Sequence, residues 1–491
     1  MADRFRVVTA VTALAACVAG FLLVVHAVNY FFLFDDFALI GIAGGTPWQT
    51  LATTPQIGFF RPFPFGLMRA EFSFLGWTHP PAYAVEALLV HVVNACLVGV
   101  LAVKVGVKRP LALTAAVVFF LSAASAEGYF WLSSTFDRFC VLGTLIALIA
   151  GLFFASAPHA RMAIAAAFVG VGGTALAVLS KESGVVVPVL ALLTFTMTRL
   201  AGRRRAISYI AIQLAIVLPL LAYRQYVLPG FNGAYGSLAS LFAHADLATN
   251  LRLYATSVFR VPLPWHDTTW MVGRLSTVAW MLSAASWLAI IVTLGAKRPI
   301  VLASGLLAAL ASIAPVAWVA VLPGTTASGR FLYLPGVWLA LVLVLALDAA
   351  DRAPTRVIVS TSAVIILVVQ SASVQYQARI WRLASQLSHR TMLEMQAYRN
   401  FERPLYIENM PAAFIEGPFV LKDYAFTVYF GPKFKPRVRA RGMELRVVEG
   451  RAVGSGWLGP DDRLPEERAV QLHSLDGTRG AATSSFSPRA F

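Results

Sequence analysis

Long apolar stretches recur through this chain of 491 residues, and they constrain its fold more than any other feature. About twenty consecutive apolar residues form a helix long enough to cross the hydrocarbon core of a bilayer. Only 13% of the residues are charged, against about 25% in a soluble domain. The sequence therefore predicts a polytopic α-helical membrane protein with about 11 transmembrane helices, near 7–33, 82–103, 110–126, 139–157, 162–179, 184–198, 206–227, 276–295, 299–322, 332–350 and 355–373.

The positive charges predict the orientation of these helices. The net charge of +16 is compatible with a nucleic-acid partner, but Lys and Arg cluster in alternate short loops, which share one face of the membrane, such as 104–109, 203–205 and 297–298. Basic loops of this kind face the cytoplasm. We therefore expect a multi-pass protein of the inner (plasma) membrane with a cytoplasmic N-terminus, an extracytoplasmic C-terminal region and no nucleic-acid partner.

The composition changes after residue 373 and indicates two domains. Residues 1–373 are predicted to form the transmembrane domain, with amphipathic helices in its outer loops at 55–75 and 238–258. Residues 374–491 are predicted to form a small extracytoplasmic α/β domain, with a helix at 377–401 and strands at 404–409 and 419–430. The Gly- and Ser-rich tail from about 452 is predicted to be partly disordered.

Two adjacent acids, Asp35 and Asp36, follow the first apolar stretch. Carboxylates near hydrocarbon depth cost several kcal/mol each and usually have a function. The alternative is that one of them caps the next helix, since Asp is common at that position. The pair therefore indicates either a site at the membrane surface or a helix start.

Other charged residues fall in loops of the predicted outer face. They are the acids Glu127, Asp137 and Glu182, and the cations Arg61, Arg138, Lys181 and Arg330. Glycosyl transfer from a lipid phosphate requires both kinds, because a carboxylate takes the proton of the acceptor hydroxyl and cations or a metal neutralise the leaving phosphate. The alternatives are local ion pairs in Asp137–Arg138 and Lys181–Glu182, and an interfacial anchor at Arg61.

Six short motifs occur in a fixed order along the chain. They are Asp35-Asp36, Phe60-Arg61-Pro62, His91-Val-Val-Asn94, Glu127 to Trp131 followed by Asp137-Arg138, Ser180-Lys181-Glu182, and Arg330-Phe-Leu-Tyr-Leu-Pro335. In these motifs and their order, the chain resembles the GT-C superfamily of polytopic glycosyltransferases, in particular its protein-O-mannosyltransferase-like branch. The resemblance implies a GT-C type fold with an active site facing away from the cytoplasm, a polyprenyl-phosphate-linked sugar donor, and inversion at the anomeric carbon.

The resemblance also implies roles for individual residues. The acid acting on the acceptor matches Asp35 or Asp36, and a second acid matches Asp137 or Glu127. A divalent cation (Mg²⁺, Mn²⁺ or Ca²⁺) stays open, with Asp36 and Asp137 as its candidate ligands. The acceptor is an extracytoplasmic glycan, lipid or protein.

We hypothesise that Asp35 is the general base and that Lys181 and Arg330 bind the donor phosphate, with Arg61 and Arg138 as further candidates. Structural roles are expected for Glu182 and for His91 and Asn94, which lie at helical spacing suited to an interhelical hydrogen bond. Two alternatives remain. A lipid-linked glycan ligase or polymerase would depend on outer Arg and His residues, and a transporter would place charged residues at the midplane of two related halves.

Overall fold

The structure is a computed structural model and describes residues 6–198, 202–228, 246–264, 270–400, 405–415, 417–422, 424–431, 434, 438–448, 451–458 and 469–470. Its helices are α1 (Arg6–Val28), α2 (Asp35–Gly45), α3 (Trp48–Thr53), α4 (Pro62–Leu75), α5 (Pro80–Lys104), α6 (Arg109–Phe120), α7 (Glu127–Phe130), α8 (Thr135–Ser156), α9 (Ala160–Ser180), α10 (Val187–Met197), α11 (Arg203–Val227), α12 (Leu247–Ser257), α13 (Trp270–Lys297), α14 (Pro299–Ile313), α15 (Tyr333–Ala349), α16 (Ala353–Met395) and α17 (Tyr424–Phe430). Its strands are β1 (Leu405–Phe414), β2 (Val438–Val448), β3 (Arg451–Leu458) and β4 (Ala469–Val470).

Long apolar helices dominate the molecule. Within the described ranges, nine helical stretches are long and apolar enough to cross a membrane. The predicted spans near 110–126 and 184–198 form shorter apolar helices, at Arg109–Phe120 and Glu182–Met197. Proline lies at the first positions of α4, α5, α6, α14 and α16, where its fixed φ suits a helix start and its missing N–H costs nothing. The predicted polytopic helical fold is confirmed.

Helix α15 lies at the centre of the bundle. It contacts α6, α13 and α14. In the most apolar 18-residue stretch of Gly329–Ala349, 83% of the residues are buried. Helices α8 and α9 are in close backbone contact at Gly143 of α8. A β-carbon on Gly143 would lie 2.5 Å from the backbone nitrogen of Ala177, so only glycine allows this separation.

Three short helices, α2 to α4, connect α1 to α5 at one end of the bundle. Helix α4 lies within the predicted amphipathic segment 55–75, and its Phe65 and Met68 pack against Leu39 of α2 and Phe136 of α8. Helix α12 lies within the predicted segment 238–258, of which residues 238–245 are outside the described residues. Helices α2 and α4 and the loop before α4 contribute residues to the wall of a cavity at this end of the bundle.

The C-terminal region forms an α/β unit. Helix α16 is 43 residues long, so the helix predicted at 377–401 continues the last predicted span without a break. The sheet has the order β3-β2-β1-β4. Strand β1 is parallel to β2 and to β4, whereas β2 and β3 are antiparallel.

Two predictions for this region are corrected. Residues 419–430 were expected to form a strand, but Tyr424–Phe430 is helix α17 and Phe419 makes only an isolated bridge with Ala413. Aromatic content does not distinguish a short buried helix from a strand, and consecutive buried residues Ala425 and Phe426 fill the core here. Of the tail from about 452, which was predicted to be partly disordered, residues 452–458 belong to β3, while 459–468 and 471–491 lie outside the described residues.

Candidate functional site

A cavity of about 300 Å³ lies where the short helices meet the C-terminal unit. Its charged lining consists of Asp35, Arg61, Asp137, Lys181, Glu182 and Arg330, which come from five separate places in the chain. Aromatic rings form much of its wall, namely Phe59, Phe65, Phe136, Trp318, Phe331 and Tyr424. The fold therefore brings six predicted site residues together, both acids and bases, on an apolar-walled surface.

Asp35 is the first residue of α2 and faces the cavity. The preceding residue, Phe34, has φ 39°, a conformation that non-glycine residues adopt at a cost and that is concentrated at functional sites. The N-cap residue of α2 is Phe34, which makes no side-chain capping bond, so neither acid occupies the N-cap position. Burial raises the pKa of the Asp35 carboxyl, while Arg330, a hydrogen bond from Tyr424 and Lys422 oppose the rise.

Asp36 points away from the cavity and is 1% exposed. Its carboxylate accepts hydrogen bonds from the Tyr30 hydroxyl, the Leu33 N–H at 2.9 Å, and both the N–H (2.9 Å) and the hydroxyl of Ser133. Burial raises its pKa to about 6. These hydrogen bonds fasten the start of α2 to Ser133, and the catalytic or metal-binding role of Asp36 stays a prediction.

Lys181 pairs with Asp137 rather than with its neighbour Glu182. The Lys181 ammonium group donates a hydrogen bond to the Asp137 carboxylate, and it lies 4.6 Å from the centre of the Phe331 ring. Burial lowers the pKa of Lys181, and Asp137 opposes this. Both residues line the cavity. An anionic ligand in the cavity would therefore contact the buried ammonium group of Lys181, which is paired with a single carboxylate.

Glu182 joins two arginines. It accepts hydrogen bonds from Arg61 Nε at 3.2 Å and Nη2 at 2.9 Å, and one from Arg224 Nη2. Arg224 also donates to the Phe60 carbonyl at 2.9 Å. Sequence reasoning missed Arg224, although the same signal that pointed to Arg330 was present, because it ends a span on the face where positive charge is disfavoured.

Arg330 is supported by Glu127. The Glu127 carboxylate accepts hydrogen bonds from the Arg330 backbone N–H at 3.1 Å and from Nη1 at 3.5 Å. Burial raises the pKa of Glu127, and Arg330 opposes this. Glu127 does not line the cavity; its contacts hold Arg330 in place, and its role as a catalytic acid stays a prediction.

Arg138 is fully buried and does not reach the cavity. Its guanidinium donates to the carbonyls of Gly128, Trp131 and Leu132 at 2.9–3.0 Å. The group therefore fixes the backbone turn that carries Ser133, and a phosphate-binding role for Arg138 stays a prediction.

His91 and Asn94 form an interhelical hydrogen-bond network with Tyr333. The distances to the Tyr333 hydroxyl are 2.7 Å from His91 Nδ1 and 3.3 Å from Asn94 Nδ2. Asn94 also donates to the Arg138 carbonyl at 3.0 Å. Both side chains are fully buried, so they join α5 to α8 and α15.

The donor set does not fit a divalent cation. The described part of the chain contains no group of three or more His, Cys, Asp or Glu side chains able to hold one. Of the two proposed ligands, Asp36 accepts protein hydrogen bonds and Asp137 is paired with Lys181. Oxygen-rich coordination, as Mg²⁺ and Ca²⁺ require, is not assembled by these residues.

Fold and site together define a polytopic helical membrane protein with a cavity of mixed acids and bases at one end of its bundle. No protein-family model matches the sequence, and no curated protein matches it. Among solved structures, the chain is similar to ArnT from Cupriavidus metallidurans bound to undecaprenyl phosphate, with TM-score 0.45, 13% identity, and coverage of 87% of this chain and 85% of that one. For the apo state of ArnT the TM-score is 0.46, with 14% identity and the same coverages.

A further similarity is to the Archaeoglobus fulgidus oligosaccharyltransferase in complex with Zn and sulfate, with TM-score 0.49 and 14% identity. It covers 87% of this chain and 62% of that chain. These likenesses concern the overall arrangement of helices and do not assign a substrate or a reaction to this protein.

Proposed function

We propose that this protein is a membrane glycosyltransferase of the GT-C type, close to the protein-O-mannosyltransferase-like branch. It transfers a sugar from a polyprenyl-phosphate donor to a hydroxyl of an extracytoplasmic glycan, lipid or protein. The cavity end of the bundle then faces away from the cytoplasm, as the basic loops at the other end indicate.

One observation carries the proposal. Asp35 lines the same cavity as Lys181, Arg61 and Arg330. Each of these cations forms a salt bridge with another acid, whereas the Asp35 carboxylate forms none with the described residues. A base and an anion-binding group within one site are the two requirements of transfer from a lipid phosphate. The apolar wall reduces the screening of both.

The proposed reaction is a single inverting displacement. The acceptor oxygen forms a bond to the anomeric carbon while the bond from that carbon to the phosphate oxygen breaks. The acceptor proton passes to Asp35, and the bonding electron pair leaves with the phosphate. Lys181, Arg330 and Arg61 stabilise the negative charge that develops on the leaving group.

Asp35→Asn tests the base assignment. The amide is close in size to the carboxylate but cannot accept the proton, so sugar addition is expected to fall at least 100-fold, the lower range for general-base catalysis. The measurement is mass spectrometry of envelope glycans in a deletion strain that expresses the variant at wild-type level. Asp351→Asn, an exposed acid paired with Lys297, is the matched control.

Full sugar addition by Asp35→Asn refutes the base assignment and favours the ligase or polymerase alternative, which needs no acid. Lys181→Met and Arg330→Gln test the phosphate role. Both are expected to weaken binding of undecaprenyl phosphate to the purified full chain, with Lys297→Met as the control. Unchanged affinity in both variants would remove the phosphate role.

A further inference from the structure

We infer that Tyr424 of the C-terminal unit is a positioning residue for Asp35, so that the C-terminal unit completes the active site instead of serving only as a separate docking module. The inference rests on the proposed function, in which Asp35 is the base.

Tyr424 begins helix α17 and lines the cavity. Its hydroxyl donates a hydrogen bond of 3.1 Å to Oδ1 of Asp35, across 389 positions of sequence. This bond fixes the carboxylate from the side of the C-terminal unit.

The segment before Tyr424 also holds the backbone on which Asp35 sits. The N–H of Phe34 donates to the Val420 carbonyl at 3.0 Å, and the rings of Phe34 and Phe419 stack with centroids 4.8 Å apart. Phe34 is the residue with φ 39°, and a strained conformation persists only where its surroundings enforce it. The C-terminal unit supplies part of that enforcement.

A second contact fixes the same unit beside Arg330. A β-carbon on Gly417 would lie 2.7 Å from Cβ and 3.0 Å from the backbone nitrogen of Thr326, four residues before Arg330, so Gly417 packs directly against Thr326 and leaves no room for a side chain. The C-terminal unit therefore touches the loops that carry both the proposed base and a proposed phosphate-binding cation.

The hydrogen bond has a chemical consequence. A donor to a carboxylate favours its charged form, and a general base must be charged to accept a proton. Charged or titratable groups facing Asp35 are Arg330, Lys422 and Tyr424, with Asp36 adjacent and Arg61, Asp137, Lys181 and Glu182 around the cavity. Arg330 and Lys422 remain when the Tyr424 hydroxyl is removed, so the change isolates one hydrogen bond.

The test is Tyr424→Phe, which keeps the ring and removes the hydroxyl. The matched control is Tyr429→Phe on the same helix, where the ring packs against Phe31, Phe37 and Trp77. Initial rates of glycan addition are measured across pH in membranes of the deletion strain expressing each full-length variant. Tyr424→Phe is expected to lower the rate about tenfold, the order for one hydrogen bond to a charged group.

The pH profile separates positioning from general damage. The acidic limb for Tyr424→Phe is expected to move to higher pH, because the carboxylate loses a donor, and the rate is expected to recover in alkali. Binding of undecaprenyl phosphate is expected to stay unchanged. An unmoved acidic limb, a loss of undecaprenyl phosphate binding, or the same change in Tyr429→Phe overturns the inference.

The two proposals fail in different ways. If Asp35→Asn is fully active, the proposed function fails and this inference fails with it. If Asp35→Asn is inactive while Tyr424→Phe matches wild type, only the inference about Tyr424 is overturned.

Discussion

Removing the charge of Glu182 should destabilise the protein strongly, because two buried arginines share it. The exposed fractions of the side chains are 8% for Glu182, 11% for Arg61 and 3% for Arg224. Water in the cavity therefore reaches only a small part of these groups and replaces the lost partner poorly. Breaking a buried ion pair by removing one member costs about 3–5 kcal/mol. Glu182→Gln retains the size of the side chain, so we attribute a loss of this order to charge alone.

The measured quantity is the free energy of unfolding of the purified full chain in mixed micelles. Unfolding is monitored by the loss of tryptophan fluorescence. Glu86→Gln is the matched control, because the Glu86 Oε1 accepts no hydrogen bond from any described residue. It is expected not to destabilise. The same substitution is thereby compared at a satisfied and at an unsatisfied carboxylate.

A double variant tests the mechanism. Adding Arg224→Gln to Glu182→Gln removes one of the unpaired arginines, so the loss should be smaller than the sum of the two single losses. Wild-type stability in Glu182→Gln, or simple additivity in the double variant, would refute the reasoning.

Three further predictions concern residues that support the site. Gly143→Ala should destabilise the folded protein by about 1–3 kcal/mol, because the new β-carbon would clash with the backbone of α9. Gly172→Ala is the control and should not destabilise it, because nothing lies within 4 Å of its β-carbon position. Thermal unfolding of both variants measures the difference. Arg138→Lys should reduce the yield of folded protein, because three backbone carbonyls lose the planar guanidinium that donates to them. The protein that does fold should keep its affinity for undecaprenyl phosphate. Burial raises the pKa of Asp36 from 3.8 to about 6. The stability that the protonated carboxyl contributes is therefore fully present below pH 3.8 and is lost as the pH rises through about 6. In unfolding measurements across pH, Asp36→Asn should flatten this decline in the free energy of unfolding.

The location of the charged residues in the fold was predictable from the sequence. Charges that lie in predicted outer loops are costly in an apolar chain, so their presence alone pointed to Asp35, Arg61, Asp137, Lys181 and Arg330, and the fold gathers all five at one cavity. Residue type and loop position were sufficient for this, because loops on one face of a helical bundle end near each other.

Sequence reasoning failed where the direction of a side chain decides its role. Asp35 and Asp36 are adjacent and chemically identical, yet one faces the cavity and the other is enclosed by Tyr30 and Ser133. Arg138 looked like a ligand-binding cation, but the turn after α7 surrounds it with carbonyls. Arg224 was missed although its position at the outer end of a span signals it, and its pairing with Glu182, 42 positions away, is visible only in the fold.

The sequence by itself determined that the chain is a polytopic helical membrane protein, because hydrocarbon selects long apolar helices regardless of how they pack. Only the tertiary structure decided which acids and cations meet, since pairing depends on helix rotation and on contacts between distant segments. The contact of Tyr424 with Asp35 is the clearest case. Nothing in either local sequence specifies it, and it forms only when the C-terminal unit packs on the start of α2.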